Sequence, residues 1–364
     1  MKKKIIVGII HELTMGGAER MMVNIVNHFV DSNQEVHLIV FKDVGSLKGL
    51  LDSTIIVHDL ESDSVSRGIF SCLKCIYRIK PDTVFSGIGH VNLSLSPFIP
   101  LMKRVLPSSR WIARETNIVS LQNQNAKSSK LFNWLYQKFY HHYDVIVTQS
   151  QDMREDLVEH YPKTIAKVTL IHNPIDIQGV QNLANKMADI PKVELITVGT
   201  LTARKRQSLL IEVMAQLPKH YTLSIVGSGE EELALKALVK TLNLNERITF
   251  FGHQTNPYPY LKSANLFVLT SAHEGFPNVL LEANALGLPV IAFACPGGIT
   301  EIIEEGINGF TVENGNKNLL RKTIEEASFY AFKKEKIISL TSERYSHQKI
   351  MKAYERIFEG RNDV

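Results

Sequence analysis

Cysteine is almost missing from this chain: three residues in 364, at positions 72, 75 and 295. That scarcity excludes a disulfide scaffold and fits a reducing compartment. Long apolar runs are missing as well, and none approaches the roughly 18–20 residues that span a bilayer. The opening Met1-Lys2-Lys3-Lys4 looks like the basic head of a secretion signal. The apolar stretch from Ile5 to Ile10 is too short for such a signal's core and runs into His11-Glu12. It reads as a first buried strand, and the chain as cytoplasmic. Large charge imbalance is absent too, with 41 Lys+Arg against 37 Asp+Glu. What is present is ordinary for a folded protein: 44% hydrophobic and 21% charged residues, which excludes wholesale disorder, collagen and coiled coil. At about 150 residues per domain, the length suggests roughly two domains.

Charge is unevenly distributed. Residues 98–139 carry seven basic side chains (Lys103, Arg104, Arg110, Arg114, Lys127, Lys130, Lys138) against the single acid Glu115. Such a segment holds phosphates, rests on an anionic membrane, or is a solvated basic face. No helix-turn-helix, zinc-finger or RNA-binding signature accompanies it, so nucleic acid is not an expected partner. The aromatic series Phe132, Trp134, Tyr136, Phe139, Tyr140 and Tyr143 reads mainly as core, with a membrane-interface role for part of it left open.

Short β-branched runs alternate with helical patterns along nearly the whole chain. Strands are expected near residues 5–10, 36–41, 55–58, 83–85, 111–113, 145–148 and 168–171. Helices are expected at 17–29, 91–105 and 130–143. Strand–helix–strand order repeated in this way means a parallel sheet covered on both faces. The turn-rich His172-Asn173-Pro174-Ile175-Asp176 and the polar stretch 178–192 interrupt the pattern. A second series follows, with strands near 193–198, 223–226, 248–250, 266–269, 290–293 and 310–312. Its helices are expected at 207–216, 230–242, 279–286 and 319–327. The expected class is therefore α/β, with two Rossmann-like domains facing across a cleft. The boundaries are 1–180 for the first domain and 181–340 for the second. Residues 341–364 form a helix returning towards the N-terminal domain. Segment 116–129 is polar and without period, and reads as a loop beside the cleft.

Three places offer chemistry. Gly16-Gly17 follows the first strand, where a helix can aim backbone N–H groups at an anion, or simply make a tight turn. Gly227-Ser228-Gly229 repeats the arrangement, but Glu230-Glu231-Glu232 in the next turn disfavour a phosphate. Neither turn has dinucleotide spacing, which argues against a dehydrogenase. The third place is Ser271-Ala272-His273-Glu274-Gly275-Phe276-Pro277-Asn278-Val279-Leu280-Leu281-Glu282-Ala283, after the strand at 266–269. Pro277 suits a first helical turn. The N–H groups of Asn278, Val279 and Leu280 would then face an anionic diphosphate. Glu274 and Glu282 around a diphosphate repel it unless they accept hydroxyl hydrogen bonds, for which sugar and ribose are the obvious donors. The remaining candidates are weak. Cys72-Leu73-Lys74-Cys75 lies in a helical pattern with no second pair to complete a zinc site. His141-His142 at a helix end is explained by dipole compensation.

Glu274 and Glu282 enclose seven residues, an E-x7-E spacing. With Gly287-Leu288-Pro289-Val290-Ile291-Ala292, Gly297-Gly298-Ile299-Thr300-Glu301-Ile302-Ile303, the Gly-Gly-Ala-Glu-Arg turn at 16–20, Asn173-Pro174-Ile175-Asp176, Val198-Gly199 with Lys205, and Phe251-Gly252-His253, the chain resembles a family 4 retaining glycosyltransferase of the GT-B fold. The resemblance covers nearly the whole chain. It implies a nucleotide-sugar donor, a UDP-sugar by preference, and a glycan or lipid-linked acceptor in surface polysaccharide or lipopolysaccharide assembly. It implies that Glu274 binds donor-sugar hydroxyls and Glu282 the ribose. Lys205 and the helix start around Gly275, Phe276, Pro277, Asn278 and Val279 would hold the diphosphate, with Gly16 and Gly17 closing on it. Gly227 would line the donor site, and His253 the nucleobase. Catalysis would be electrostatic, with Lys205 stabilising the leaving diphosphate. No Asp-x-Asp pair stands at a strand end, so no metal or other cofactor is expected.

The sequence departs from the family pattern in two places. Thr200 stands where an Arg is usual, and Arg204 or Arg206 supplies the charge, Arg204 being favoured. The usual acceptor-side His is replaced within Ala113-Arg114-Glu115-Thr116-Asn117, so Glu115 or Arg114 takes its place, with Glu115 the catalytic candidate. His90 is a further acceptor-side candidate, or a structural histidine. The rival readings are a UDP-sugar 2-epimerase on the same fold and a nucleotide-sugar-binding protein without turnover. The expected location is the cytoplasm, with a peripheral seat on the inner membrane face left open.

Overall fold

The structure, a computed structural model, describes residues 3–14, 16–32, 34–124, 128–186 and 190–361. Met1, Lys2, Met15, Asn125, Lys127 and the last three residues of the expected C-terminal segment lie outside the described residues. The chain forms two units, one from the N-terminus to Asn173 plus Ile350 onward, the other Pro174–Lys349.

The first unit holds β1 (Ile5–Ile10), β2 (Glu35–Val40), β3 (Ile56–Asp59), β4 (Thr83–Ser86), β5 (Arg110–Arg114), β6 (Val145–Thr148) and β7 (Val168–Leu170). Every pair is parallel, in the order β3-β2-β1-β4-β5-β6-β7. Strands such as Ile-Ile-Val-Gly-Ile-Ile are apolar throughout because helices cover both faces. The second unit repeats the plan with β8 (Val193–Val198), β9 (Leu223–Val226), β10 (Ile248–Gly252), β11 (Ala264–Leu269), β12 (Val290–Phe293) and β13 (Gly309–Val312). Their order, β10-β9-β8-β11-β12-β13, reverses between β8 and β11, and the first unit reverses between β1 and β4. Such switch points are where open α/β sheets bind ligands.

Some helices differ from the sequence expectation. The pattern at 91–105 is broken into Gly89–Leu95, a 3-10 turn Ser96–Phe98 and Ile99–Val105. Pro97 and Pro100 each remove a backbone donor there. The stretch read as a polar loop contains the helix Val119–Gln124, which buries Val119, Ser120 and Asn123. The polar stretch after the hinge contains the helix Ile177–Ala184, started by Asp176, whose carboxylate accepts the Gly179 N–H at 3.0 Å. That helix packs in the second unit's core through Val180 and Ala184, so the division falls at Asn173 and not at 180. The C-terminal segment is two helices, Lys334–Tyr345 and His347–Glu359.

The last helix places Ile350, Met351, Tyr354, Ile357 and Phe358 in the first unit's core. Their spacing makes one apolar stripe, and Phe358 stacks on Phe29 at 4.3 Å. Each such side chain contributes about 1.5–3 kcal/mol relative to exposure. The two crossings between units are secured at each end. Within the second unit Ile175 bridges Ser346, and the Ile175 N–H donates to the Tyr345 carbonyl at 2.8 Å. Within the first, Arg114 donates through Nε to Tyr354 Oη at 3.1 Å and through Nη2 to Asn173 Oδ1 at 2.6 Å.

Arg114 is 2% exposed. Arg114→Met removes two charge-assisted hydrogen bonds and should cost about 3 kcal/mol of the first unit's stability. Urea denaturation followed by intrinsic fluorescence, which Trp111 in the same strand reports, checks this. Tyr354→Phe should cost less than half as much.

Candidate functional site

The second unit's site is built where β8 and β11 end. After β11, Ser271 to Phe276 form a loop pressed against the loop that follows β12. The Glu274 N–H donates to the Pro296 carbonyl at 2.9 Å, and the Gly298 N–H to the Gly275 carbonyl at 3.0 Å. This contact requires glycine at 297, whose φ is +123° and where any β-carbon would meet the Glu274 backbone. The Gly297-Gly298 pair thus allows the two loops to touch. After β8, the turn Ala203–Lys205 is stapled to the same loop. The Ala272 N–H donates to the Arg204 carbonyl at 2.8 Å, and the Thr270 hydroxyl to the carbonyls of Lys205 and Arg206 at 3.1 and 3.0 Å.

This framework brings Glu274, Lys205 and Arg204 together. Lys205 Nζ lies 2.6 Å from Glu274 Oε1, and Arg204 Nη1 lies 2.8 Å from Oε2. The Ser271 hydroxyl donates to Oε1 at 2.5 Å. Arg204 also donates to the His273 carbonyl at 3.0 Å. Arg206 takes a left-handed backbone conformation, φ 50°, and its Nη1 donates to Asn314 Oδ1 at 3.2 Å. Arg204, and not Arg206, is the arginine at the carboxylate. Burial by itself would push the Glu274 carboxyl up, but Lys205, Arg204 and the hydrogen bonds from Lys205 and Ser271 outweigh it and hold it below the usual carboxylate range. Thr270 was not singled out in the sequence, and Ser271 stood in the candidate segment without a role. The only available signal was their place at a strand end beside Glu274.

Pro277 caps the helix Asn278–Ala285 from outside it, and the Leu280 N–H donates to the Pro277 carbonyl at 3.1 Å. The expectation that the Leu280 N–H stays available to a diphosphate is therefore corrected: the helix's own first turn uses it. Asn278 and Val279 stand half-buried at the helix start. Phe276 is a core residue, its ring 5.6 Å from Tyr345 and packed beneath Gly298. Glu282 is half-buried one helical turn further on, and Tyr258 Oη lies 3.4 Å from its Oε1. Gly227, at φ +143°, packs on the Gly199 backbone, which no side chain there would permit. His253 is exposed after β10.

The first unit gathers its candidates at the ends of β1, β4 and β5. Gly16 caps the helix Gly17–Asp31, and a side chain on Gly16 would run into the Glu19 carboxylate, which folds back over the helix start. Burial raises the Glu19 carboxyl above its ordinary value. His90 is exposed at the start of the helix Gly89–Leu95, its ring edge-on to His11 with centroids 5.6 Å apart. Desolvation and then His11 pull its pKa down.

Arg114 and Glu115, the other two acceptor-side candidates, are 2% and 1% exposed. Arg114 is used by Tyr354 and Asn173. Glu115 is enclosed by tyrosines of the helix Ser129–Phe139 and the following turn. Its Oε1 accepts from Tyr140, from Tyr136 at 3.4 Å and from Asn92 at 3.3 Å, while no hydrogen-bond partner reaches its Oε2 among the described residues. Burial pushes the Glu115 carboxyl up despite those donors. The two side chains were expected to face an acceptor. The structure sets them inside the unit because β5 is an interior strand whose end is covered.

A raised folded-state pKa stabilises below the unfolded carboxyl value, and that stabilisation is lost as pH rises through the folded value. Glu115→Gln keeps the Oε1 acceptor and removes the charge. The variant should match or fall below wild type near pH 4 and exceed it at pH 8. Thermal unfolding midpoints of both proteins across that range check this.

Among the described residues no cluster of three His, Cys, Asp or Glu side chains is arranged to hold a metal, and no helix is long and apolar enough to cross a membrane. Cys72 is buried in the helix Val65–Ile79.

Comparison with known proteins matches residues 15–178 to the family described as Glycosyltransferase Family 4, and residues 185–349 to Glycosyl transferases group 1. An uncharacterized glycosyltransferase of Methanocaldococcus jannaschii is 30% identical over 282 residues, 72% of this chain and 70% of that one. The N-acetylgalactosamine-N,N'-diacetylbacillosaminyl-diphospho-undecaprenol 4-alpha-N-acetylgalactosaminyltransferase of Campylobacter jejuni is 29% identical over 317 residues, 85% and 86% of the two chains. Anabaena HepE, crystallised with UDP-glucose, shares the fold with a TM-score of 0.82 at 20% identity, over 98% of this chain and 100% of that one. Two Rossmann-like domains of the GT-B type, each matched by its own family profile, and a relative of that identity and coverage lead to one conclusion: the chain belongs to the family 4, group 1 glycosyltransferases.

Proposed function

We propose that this glycosyltransferase moves a sugar from a UDP-sugar, with retention of configuration, to a lipid-linked or oligosaccharide acceptor in surface polysaccharide or lipopolysaccharide assembly. The observation that carries the reading is the Glu274 carboxylate with Lys205 and Arg204 at the switch point of the second sheet. Two fixed cations suit a diphosphate, and a carboxylate beside them suits the hydroxyls of the attached sugar. The bond between the anomeric carbon and the diphosphate oxygen breaks, and the acceptor hydroxyl oxygen bonds to that carbon. The acceptor's proton leaves with the departing diphosphate. Lys205, Arg204 and the N–H groups at the start of the helix Asn278–Ala285 stabilise the charge that develops there. Because side-chain cations supply that stabilisation, the reaction proceeds without a metal. Glu282 holds the ribose. The Campylobacter relative, by its name, acts on an undecaprenol-linked diphosphate glycan, and HepE binds UDP-glucose. Those facts support the choice of acceptor and donor class.

Thermal shift against UDP, GDP, ADP and their sugars tests the donor. A ligand at 100 times its dissociation constant adds about 2.7 kcal/mol of stability. UDP compounds should stabilise the wild type, Glu282→Ala should lose most of the shift, and transfer should persist in EDTA. Binding of GDP or ADP compounds alone would replace the donor, and donor binding without turnover would favour a non-catalytic binding protein.

The reading extends to an anionic membrane, on which exposed side chains of the first unit would rest. Leu101, Val105 and Arg104 are exposed on the helix Ile99–Val105, and Leu131, Trp134, Lys130 and Lys138 on the helix Ser129–Phe139, with Lys138 Nζ 5.2 Å from the Trp134 ring centre. Lys103 does not belong to it, being paired with Asp144 at 2.5 Å. Each basic residue near an anionic surface contributes about 1 kcal/mol. Sedimentation with phosphatidylglycerol vesicles should exceed that with phosphatidylcholine vesicles. Replacing Arg104, Lys130 and Lys138 by glutamate should abolish the difference; equal binding to both lipids would remove the membrane reading.

A further inference from the structure

Both oxygens of Glu274 are engaged within the protein itself. Oε1 holds Lys205 and Ser271, and Oε2 holds Arg204. The Glu274 side chain is only 7% exposed and that of Lys205 only 12%, so these charges interact with little solvent screening. The backbone carrying both cations is fixed to the Thr270–Ala272 segment by three hydrogen bonds. The Glu274 backbone is held as well, by the Pro296 carbonyl, so an exchange of partners involves the three side chains and not their backbones. One carboxylate occupies the two positive groups that a diphosphate would need.

We propose that Glu274 is a resident counter-ion that the donor's diphosphate displaces, and that this exchange couples diphosphate binding to sugar recognition. The inference rests on the donor-site reading above and deepens it. A diphosphate brings more negative charge than one carboxylate and takes Lys205 and Arg204. Glu274 then stands beside a like charge with its acceptor capacity released. Ser271 satisfies part of that capacity, and hydroxyls of the attached sugar satisfy the rest. A nucleoside diphosphate without a sugar must displace Glu274 and offers it no new donors. A nucleotide sugar displaces it and supplies them. The two halves of the donor are thus recognised cooperatively through one side chain, and by linkage the coupling acts in both directions.

The test is isothermal titration of wild type and Glu274→Gln with UDP and with UDP-glucose. Wild type should bind UDP-glucose more tightly than UDP. Glu274→Gln, with the cations no longer neutralised, should bind UDP about tenfold more tightly than wild type and lose the preference for the sugar, within the range of roughly 5–150-fold usual for coupled sites. Unchanged or weaker UDP binding by a folded Glu274→Gln overturns the exchange. A second measurement uses wild type alone. Free glucose should stabilise the protein in the presence of saturating UDP and not without it; equal stabilisation in both conditions also overturns the proposal. If wild type binds no nucleotide or nucleotide sugar at all, the donor-site reading itself fails, which separates the two outcomes.

Discussion

Glu274 is a carboxylate 6% exposed, ionised because Lys205 and Arg204 meet it at 2.6 and 2.8 Å. Much of the second unit's detail serves that arrangement. The loop bearing Glu274 is supported from one side by the Pro296–Gly298 backbone, and from the other by the turn that carries both cations. Gly297 permits the close approach on the first side, and Thr270 and Ala272 make the connections on the second. Phe276, directly after Glu274 and Gly275, anchors the loop in the core. A buried carboxylate with two cations is costly to desolvate and strongly destabilising to break. This one stands where the strand order of the second sheet reverses.

The first unit uses buried charge differently. Arg114 joins the end of β5 to Asn173, where the chain leaves, and to Tyr354, after it has returned. Glu115, the next residue, points its carboxyl among tyrosines and is pushed towards the neutral form. Successive residues of a strand face opposite ways, so one can serve the crossings while the other enters the tyrosine cluster. What remains open at this sheet's switch point is His90 with His11, and the helix start at Gly16 and Gly17 over which Glu19 folds.

Much of this was legible in the sequence. Strands β1, β6, β8, β9 and β12 coincide with their expected ranges, because interior parallel strands are short, β-branched and bounded by turn residues. Helices were legible where the apolar spacing was unbroken and missed where it was sparse. Ile177–Ala184 buries only Val180 and Ala184, and its one clear signal was the capping Asp176. The split of the helix at 91–105 was written in Pro97 and Pro100. Glu274 and Glu282 were singled out by motif and spacing, and Lys205 by the family resemblance. Ser271, Thr270 and the role of Gly297 were not, since their importance lies in contacts across loops far apart in the chain.

The sequence by itself determined the alternation of strands and helices, two sheets of parallel strands, and a carboxylate motif after β11. Those follow from local periodicity and from residue types at strand ends. Only the tertiary structure decided which arginine reaches Glu274. Arg204 and Arg206 are two residues apart, and the left-handed turn at Arg206 sends its side chain to Asn314. Tertiary structure alone also buried Arg114 and Glu115, since coverage of the first by Tyr354, 240 residues later, and of the second by Tyr136 and Tyr140 leaves no trace in the pattern around β5.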